Sequence, residues 1–282
     1  MAIDLITSYQ ALVDEKFTQE SKLSLVTNQN YSWSGAKTIK LYRVGTTGMN
    51  DYARNSGMSR YGVANDLSAG TQELILKKDR SFTFIIDKMD EEETGGALAA
   101  GTALERQLRE VAIPEVDSYT YGVMCDNAGI KPEAVELTAD NIYEHIITAT
   151  KCLDDALAPE EGRALIVTPD VYYLMKKNKD IIMQVETGAE MRMKGVIATL
   201  DGCNVIKMAA ARLPKNFGFM MCHSVATTAP LKLADYVMHD NPPGISGYLV
   251  EGRLYYDAFV LENKKKAIYY QMVKAAEEVK DK

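Results

Sequence analysis

The sequence has few of the residues and spacings that metal sites and catalytic centres require. It contains three histidines, none in an HExxH spacing, and four cysteines, without a CxxC pair. Zinc sites need such spacings, and small disulfide-stapled folds use many more cysteines. No GxSxG motif or thiol-nucleophile signature is present either. The cysteines are therefore expected to be buried free thiols. For the protein as a whole we expect no bound metal, no cofactor and no enzymatic activity.

Long apolar runs are also absent. No stretch approaches the roughly 18 uninterrupted apolar residues that a membrane span needs. The first residues, MAIDLI, lack the basic region followed by an apolar region that marks a secretory signal. We therefore expect a cytosolic site of synthesis and no contact with a membrane.

Positive charge is in deficit overall, but it is unevenly distributed. The formal net charge is -7, which is unfavourable for sequence-specific DNA binding, because duplex affinity rests on clustered Lys and Arg. Ser34–Lys88 has nine basic and five acidic residues, whereas Met89–Glu161 has 17 acidic and four basic residues. Neighbouring blocks of opposite sign suggest two surfaces that meet, within one chain or between copies.

A long glycine-containing loop lies within the basic block. Strand-like segments at Thr38–Val44, Glu73–Lys77 and Phe82–Asp87 flank a 28-residue stretch, Gly45–Gln72, with five glycines. Such a loop is unusual in a compact domain unless it is functional. A lone two-stranded ribbon is marginally stable in water, so the sequence predicts an arm, Ser34–Lys88, that lies on another molecule.

Helical periodicity follows the acidic run Asp90–Glu93. One predicted helix of roughly 15 residues has a face formed by Ala97, Gly101, Leu104, Leu108 and Val111, and Pro114 then breaks or restarts it. A second is predicted to start at Thr138 as N-cap, with a face formed by Ile142, Ile146, Ala149, Leu153 and Leu157. A looser helical stripe covers Ile3–Phe17, in what we interpret as an N-terminal arm.

The second half of the chain consists mainly of predicted strands. A short helix is expected from Pro169 to Leu174, and the strands are expected at Ala164–Val167, Val205–Met208, Phe217–Cys222, Tyr248–Leu261 and Ala267–Met272. Because strands and helices do not alternate strictly, the expected class is α+β.

Three segments resemble ligand sites but have simpler explanations. Gly96–Thr102 has the glycine spacing of a phosphate-binding loop but lacks its lysine. The carboxylates of Asp87 and Asp90–Glu93 lie outside any EF-hand pattern, and consecutive side chains on a helix cannot all face one ion. Tyr255–Val260 could stack on bases, but Asp257 and Glu262 make a packed sheet the simpler interpretation.

Several segments, in a consistent order over nearly the whole chain, resemble the tailed-phage major capsid proteins that have the Hong Kong 97 fold. The segments are KTI (37–39), YARNSG (52–57), DRSFTFIIDKMDEEET (79–94), IPEVDSY (113–119), RALIVTP (163–169), LDGCNVIK (200–207) and GRLYYDAFVL (252–261). The resemblance implies an N-terminal arm (1–33), an extended β-hairpin loop (34–88), a peripheral domain with a long spine helix (89–137 and 250–282) and an axial domain (138–249). In relatives the extended loop lies across the adjacent subunit.

The function implied by this resemblance is self-assembly into the icosahedral head of a tailed phage, around double-stranded DNA. Its partners would be further copies in pentamers and hexamers, portal, scaffolding or decoration proteins, and non-specifically contacted packaged DNA. The subunit would reside in the virion after assembly in the bacterial host cytoplasm. An encapsulin-like compartment shell is the alternative, and a cytosolic α+β enzyme a distant one.

The candidate residues for contacts between subunits are the charged side chains of the two blocks. They are Lys37, Lys40, Arg43, Arg54, Arg60, Lys77, Lys78, Arg80, Glu91, Glu92, Glu93 and Glu105. No cross-link is predicted, because no segment identifies an acceptor for a loop lysine.

Overall fold

The computed structural model describes residues 21–28, 38–55, 60–64, 66, 69–93, 100–181 and 196–274. The helices within these residues are α1 Lys88–Glu93, α2 Ala100–Gln107, α3 Ile113–Asp126, α4 Ile142–Asp155 and α5 Pro169–Lys177. The strands are β1 Thr38–Val44, β2 Ala69–Ile75, β3 Lys78–Asp87, β4 Arg163–Val167, β5 Val196–Leu200, β6 Cys203–Lys207, β7 Phe217–His223, β8 Thr227–Thr228, β9 Leu231–Asp240, β10 Gly247–Tyr256, β11 Phe259–Val260 and β12 Ile268–Met272. The predicted N-terminal helix lies outside the described residues. None of the described helices is long and apolar enough to cross a membrane.

The chain divides into two compact units. The smaller, here called the hairpin unit, is Trp33–Leu76, and the main unit comprises Met1–Ser32 and Lys77–Lys282. In the hairpin unit, β1 pairs antiparallel with β2 from Thr38 opposite Ile75 to Val44 opposite Ala69. The return strand therefore begins at Ala69, so 24 residues, Gly45–Ser68, separate the strands instead of the predicted 28.

A three-stranded antiparallel sheet in the main unit has the order β3-β10-β9. Strand β3 pairs with β10 along its whole length, from Lys78 opposite Tyr256 to Asp87 opposite Gly247. The segment Phe82–Asp87, which we expected to return from the arm, thus belongs to the main unit. Its predicted alternation is present, because Ile86 is buried whereas the neighbouring Ile85 is exposed.

A five-stranded sheet of order β12-β7-β4-β6-β5 forms the centre of the main unit. Strands β4 and β6 are parallel, whereas the other neighbours are antiparallel. Along β4, Ala164 and Ile166 pack with the core of α2 and α3, and Leu165 and Val167 with the core of α4 and α5. The sheet is covered on both faces, which explains why β4 is an unbroken apolar run after Arg163.

Strand pairing crosses the boundary between two of the predicted domain ranges. Strand β9, from the predicted axial range 138–249, lies in the sheet of β3 and β10. Strand β12, from the predicted peripheral range 250–282, lies in the five-stranded sheet.

Helices α2 and α3 are joined by a π-helical turn, Leu108–Ala112. Leu104 and Leu108 are buried as predicted, but Val111 is 47% exposed and Ala112 is buried in its place. A π-turn adds a residue to the helical turn and so rotates the face that follows it. Pro114 lies in the first turn of α3, where a missing N–H costs little, and the chain remains helical through it.

Helix α4 has the predicted buried stripe as far as Leu153. Thr138 lies three residues before its cap, and its Oγ1 accepts from the N–H of Asn141 at 3.3 Å while its own N–H donates to Asn141 Oδ1 at 2.8 Å. Leu157 does not extend the stripe, because the helix ends at Asp155. Leu157 adopts a φ of 56° and its side chain is 90% exposed.

Gly247 closes the turn between β9 and β10 at a point that only glycine can occupy. Its φ is 144°, and a Cβ there would overlap the backbone oxygen of Ile86 on the neighbouring strand. We expect Gly247→Ala to lower the free energy of unfolding by about 2 kcal/mol or more.

The matched control for this prediction is Gly122→Ala in the middle of α3, where a Cβ would meet no atom within 4 Å. It should raise stability by up to about 1 kcal/mol, because alanine is the better helix former. Urea unfolding followed by circular dichroism compares the two variants. Equal stability of both would contradict the account of the β9–β10 turn.

Candidate assembly surfaces

The tip of the hairpin unit is organised and rich in exposed apolar side chains. The rings of Tyr52 and Tyr61 pack edge to face with centroids 5.0 Å apart. The N–H of Ala53 donates to the Arg60 oxygen at 3.0 Å, and Asn50 Nδ2 donates to the Tyr61 oxygen at 3.2 Å.

Apolar side chains at this tip lie in solvent. Met49 is fully exposed, and Tyr61 and Val63 are 83% and 78% exposed. Burying one such side chain on a partner would contribute roughly 1.5–3 kcal/mol. These side chains are not among the contact residues predicted from the sequence, which are all charged. The sequence signal for these side chains was the presence of Met49, Tyr61 and Val63 among glycines and polar residues.

The basic candidates of the hairpin unit lie on β1 and at the tip. In the antiparallel register, Lys40 is opposite Glu73 and Arg43 is opposite Gly70. Arg54 and Arg60 are exposed at the tip. Lys37 lies outside the described residues.

The basic candidates beyond Leu76 belong to the main unit, and two of them contact its own side chains. Lys78 Nζ lies 4.7 Å from the ring centroid of Tyr119. Arg80 donates to both carboxylate oxygens of Glu115, at 2.6 and 3.3 Å, while the side chain of Lys77 is exposed. The basic block of the sequence is therefore divided between the two units.

A buried carboxylate, Asp257, fixes the start of β3 and was not recognised from the sequence. It is 3% exposed and accepts three hydrogen bonds, from the N–H of Lys77 at 2.8 Å, Tyr119 OH at 2.7 Å and the N–H of Ala258 at 2.8 Å. Burial and the hydrogen bond to this carboxylate raise the pKa of Tyr119 well above its ordinary value. The phenol therefore remains a donor at every physiological pH.

The acidic candidates are distributed over two helices. Glu91, Glu92 and Glu93 belong to α1, whose start is capped by Asp87, because the Asp87 carboxylate accepts from the N–H of Met89 at 2.9 Å. Glu105 is half-buried on α2. Within the described residues, no group of three or more His, Cys, Asp or Glu side chains could hold a metal ion.

A second buried carboxylate, Asp117 on α3, binds Ser21 at the start of the described segment Ser21–Asn28, within the main unit. Asp117 accepts from Ser21 Oγ at 2.8 Å and from Arg212 Nη1 at 2.9 Å. Burial raises the pKa of Asp117, although these donors and Lys22 oppose the shift. Leu23 and Val26 are buried beside it in the core.

Most of the cysteines lie in the core. So do Tyr256 and Val260 of the aromatic segment Tyr255–Val260, which was considered as a stacking surface. Burial raises the pKa of Cys125 and Cys222 to about 12 and that of Cys203 to about 11. These thiols are therefore protonated at neutral pH and are poor nucleophiles. Tyr256 is 2% exposed and Val260 is also buried, as a packed sheet requires.

Comparisons with known proteins find similarity in structure only. No protein-family model matches the sequence, and no curated protein matches it either. A structure from Mycobacterium phage Che8 superposes with a TM-score of 0.69 at 17% identity, over 88% of this chain and 90% of that chain. The capsid structure of cyanophage P-SCSP1u gives a TM-score of 0.69 at 13% identity, over 89% and 87%. A virus-like particle from Pyrococcus furiosus gives 0.56 at 10% identity, over 95% and 99%.

These similarities extend over nearly the full length of both partners in each comparison. The chain has the fold of phage capsid subunits, and the α+β class and capsid fold predicted from the sequence are confirmed.

Proposed function

We propose that this chain is the major capsid protein of a tailed phage and that it assembles with itself into an icosahedral head around double-stranded DNA. The observation that supports this most directly is the similarity to phage capsid structures over about nine-tenths of each chain. An encapsulin-like compartment shell is the second candidate, favoured by the virus-like particle that matches over 99% of its length. The phage structures have the higher TM-scores, 0.69 against 0.56.

The proposed assembly depends on the hairpin unit. An isolated two-stranded ribbon with exposed apolar side chains at its tip is suited to lie across a neighbouring copy. A contact between different surfaces of successive copies closes into a ring when the rotation between them closes, as in a pentamer or hexamer. The charged candidate residues would then set the register and the rate of association more than the affinity.

The remaining roles follow from the same proposal. Residues 1–33 would be the N-terminal arm, residues 34–88 would include the extended loop, residues 89–137 and 250–282 the peripheral domain, and residues 138–249 the axial domain. The α2–α3 helix would be the spine of the peripheral domain. Portal, scaffolding or decoration proteins and packaged DNA would be partners in the virion, and the chain would have no catalytic role.

Imaging of the purified chain tests this proposal. We expect negative-stain micrographs to show closed shells or rings of capsomers, and sedimentation to show species far larger than the 31.3 kDa chain. A chain that remained monomeric at high concentration would contradict the proposal. Shells that enclose a cellular enzyme instead of DNA when isolated from their natural source would favour the compartment alternative.

Charge at the hairpin tip provides a second test. Arg54→Glu with Arg60→Glu reverses two exposed charges of the hairpin unit. We expect the double variant to fold normally but to assemble more slowly than wild type, about tenfold at low salt and less at high salt, because exposed charges are screened. Light scattering at several salt concentrations measures the rates. Equal rates at every salt concentration would exclude steering by these charges.

A further inference from the structure

The outer face of helix α5 carries lysines packed on two tyrosine rings. Lys176 Nζ, from the same helix, and Lys207 Nζ, from the end of β6, each lie 5.5 Å from the ring centroid of Tyr172. Lys177 Nζ lies 4.3 Å from the centroid of Tyr173, which is itself 59% exposed. All three lysines are exposed. These five residues are here called the lysine–tyrosine patch.

Further positive charge lies beside the patch. Lys22 Nζ donates to the backbone oxygen of Lys207 at 3.0 Å. The pKa of Lys22 is lowered by burial and then by the positive charges of Arg212 and Lys207. The nearby carboxylate of Asp117 is already bound to Arg212 at 2.9 Å. Among the described residues, none of Lys176, Lys177 and Lys207 forms an ion pair with a carboxylate.

The chemistry of the patch suits a partner that presents many phosphates. Elsewhere in the described residues, ion pairs with carboxylates mostly involve arginine, as in Arg80–Glu115, Arg163–Asp154, Arg212–Asp117 and Arg253–Asp79, with Lys265–Glu262 as a lysine example. The planar guanidinium matches a carboxylate or a phosphate in a fixed bidentate geometry, whereas an ammonium is a point charge that tolerates many orientations. A row of lysines therefore fits a partner that presents repeated phosphates without fixed register.

The tyrosines contribute by ordering the lysines. A lysine held over an aromatic ring is stabilised by the electrostatic attraction between the ammonium and the ring face. Its stem has fewer conformations to lose when an anion binds, because the ring already restricts it. The two rings thus hold Lys176 and Lys207 around Tyr172, and Lys177 over the neighbouring Tyr173.

We propose, as an extension of the shell function proposed above, that the lysine–tyrosine patch contacts the phosphate backbone of the packaged duplex DNA. Three ammonium groups would give a salt slope of about -2.7, which corresponds to roughly a 40-fold loss of affinity between 50 and 200 mM salt. Such contact is weak and independent of sequence. A weak contact of this kind would restrain DNA without trapping it during filling.

Titration of a labelled random duplex of about 30 base pairs tests the patch. The full chain is kept below its assembly concentration, and binding is followed by fluorescence anisotropy at the two salt concentrations. We expect Lys176→Gln with Lys177→Gln and Lys207→Gln to lose at least about tenfold in affinity at 50 mM salt and most of the salt dependence. The matched control changes Lys264, Lys265 and Lys266 to Gln, which removes the same charge at another site, and it should bind within about twofold of wild type.

Shell formation by the same preparations separates the possible outcomes. The inference is overturned if both triple variants lose affinity for DNA equally, or if neither loses affinity. If shells still form in that case, the proposed function stands. Patch variants that bind DNA normally but fail to assemble would assign the patch to a second copy of the chain and overturn the inference. Wild-type chain that forms no shells overturns the proposed function, whatever its affinity for DNA.

Discussion

A subunit whose hairpin loop, Gly45–Ser68, is replaced by an Asn-Gly turn should fold normally and form no shells. Val44 and Ala69 are paired at the end of the β1–β2 ladder, and a two-residue type I′ turn joins strands in that arrangement. The deleted residues include the exposed side chains Met49, Tyr61 and Val63. Circular dichroism should therefore be nearly unchanged, while micrographs and sedimentation should show only small species.

Two controls identify what the loop contributes. A glycine-serine loop of the original length keeps the reach of the hairpin but removes its side chains, and it should also fail to assemble. The double variant Tyr61→Ser, Val63→Ser in an otherwise unchanged loop should weaken assembly by about tenfold or more, because two apolar anchors would be lost. Normal shells from the Asn-Gly variant would exclude the hairpin as an assembly element.

Local periodicity predicted the helices well where it was uninterrupted. The stripe Ile142, Ile146, Ala149 and Leu153 is buried throughout, because a regular α-helix keeps these positions on one face. It failed at Val111, because the π-turn that rotates the face depends on packing around α2 and α3 and not on residue spacing. A sequence stripe assumes a constant rise and twist, so any change in helix type displaces it.

Strands were easier to find than their partners. Phe82–Asp87 was correctly predicted as extended, but it was joined to the arm because it follows the arm in sequence. Its partner β10 begins about 160 residues later at Gly247, and no short-range pattern specifies such a pairing. The short hairpin β1–β2 has no such ambiguity, apart from the position at which β2 begins.

The candidate contact residues show the limit of counting charge. Arg80 was counted with the arm, yet it binds Glu115 of α3 within the chain. Asp257 was discounted as a negative neighbour of aromatic residues, yet it accepts hydrogen bonds from residues 77 and 119, which are far from it in sequence. A net count over a segment cannot show which side chains are neutralised by tertiary partners.

Asp257→Ala is expected to lower the free energy of unfolding by about 3–5 kcal/mol. The substitution leaves the part-buried N–H of Lys77 and phenol of Tyr119 and the buried N–H of Ala258 without their acceptor, and each unsatisfied donor costs up to about 1–3 kcal/mol. Asp257→Asn should be milder, about 2 kcal/mol, since its remaining oxygen can still accept from Tyr119 and Ala258 while its amide faces the Lys77 N–H. Urea unfolding of unassembled subunits, followed by circular dichroism, measures both.

Tyr119→Phe is the matched control, because it removes one donor and leaves the carboxylate with its two backbone partners. Its expected cost is about 1 kcal/mol. Combining it with Asp257→Ala should cost less than the sum of the two single changes, since the phenol no longer lacks an acceptor once it is absent. If the losses in unfolding free energy of the two single variants add strictly in the double variant, the Tyr119–Asp257 hydrogen bond does not hold the start of β3. The stability of that strand would then rest on its ladder with β10.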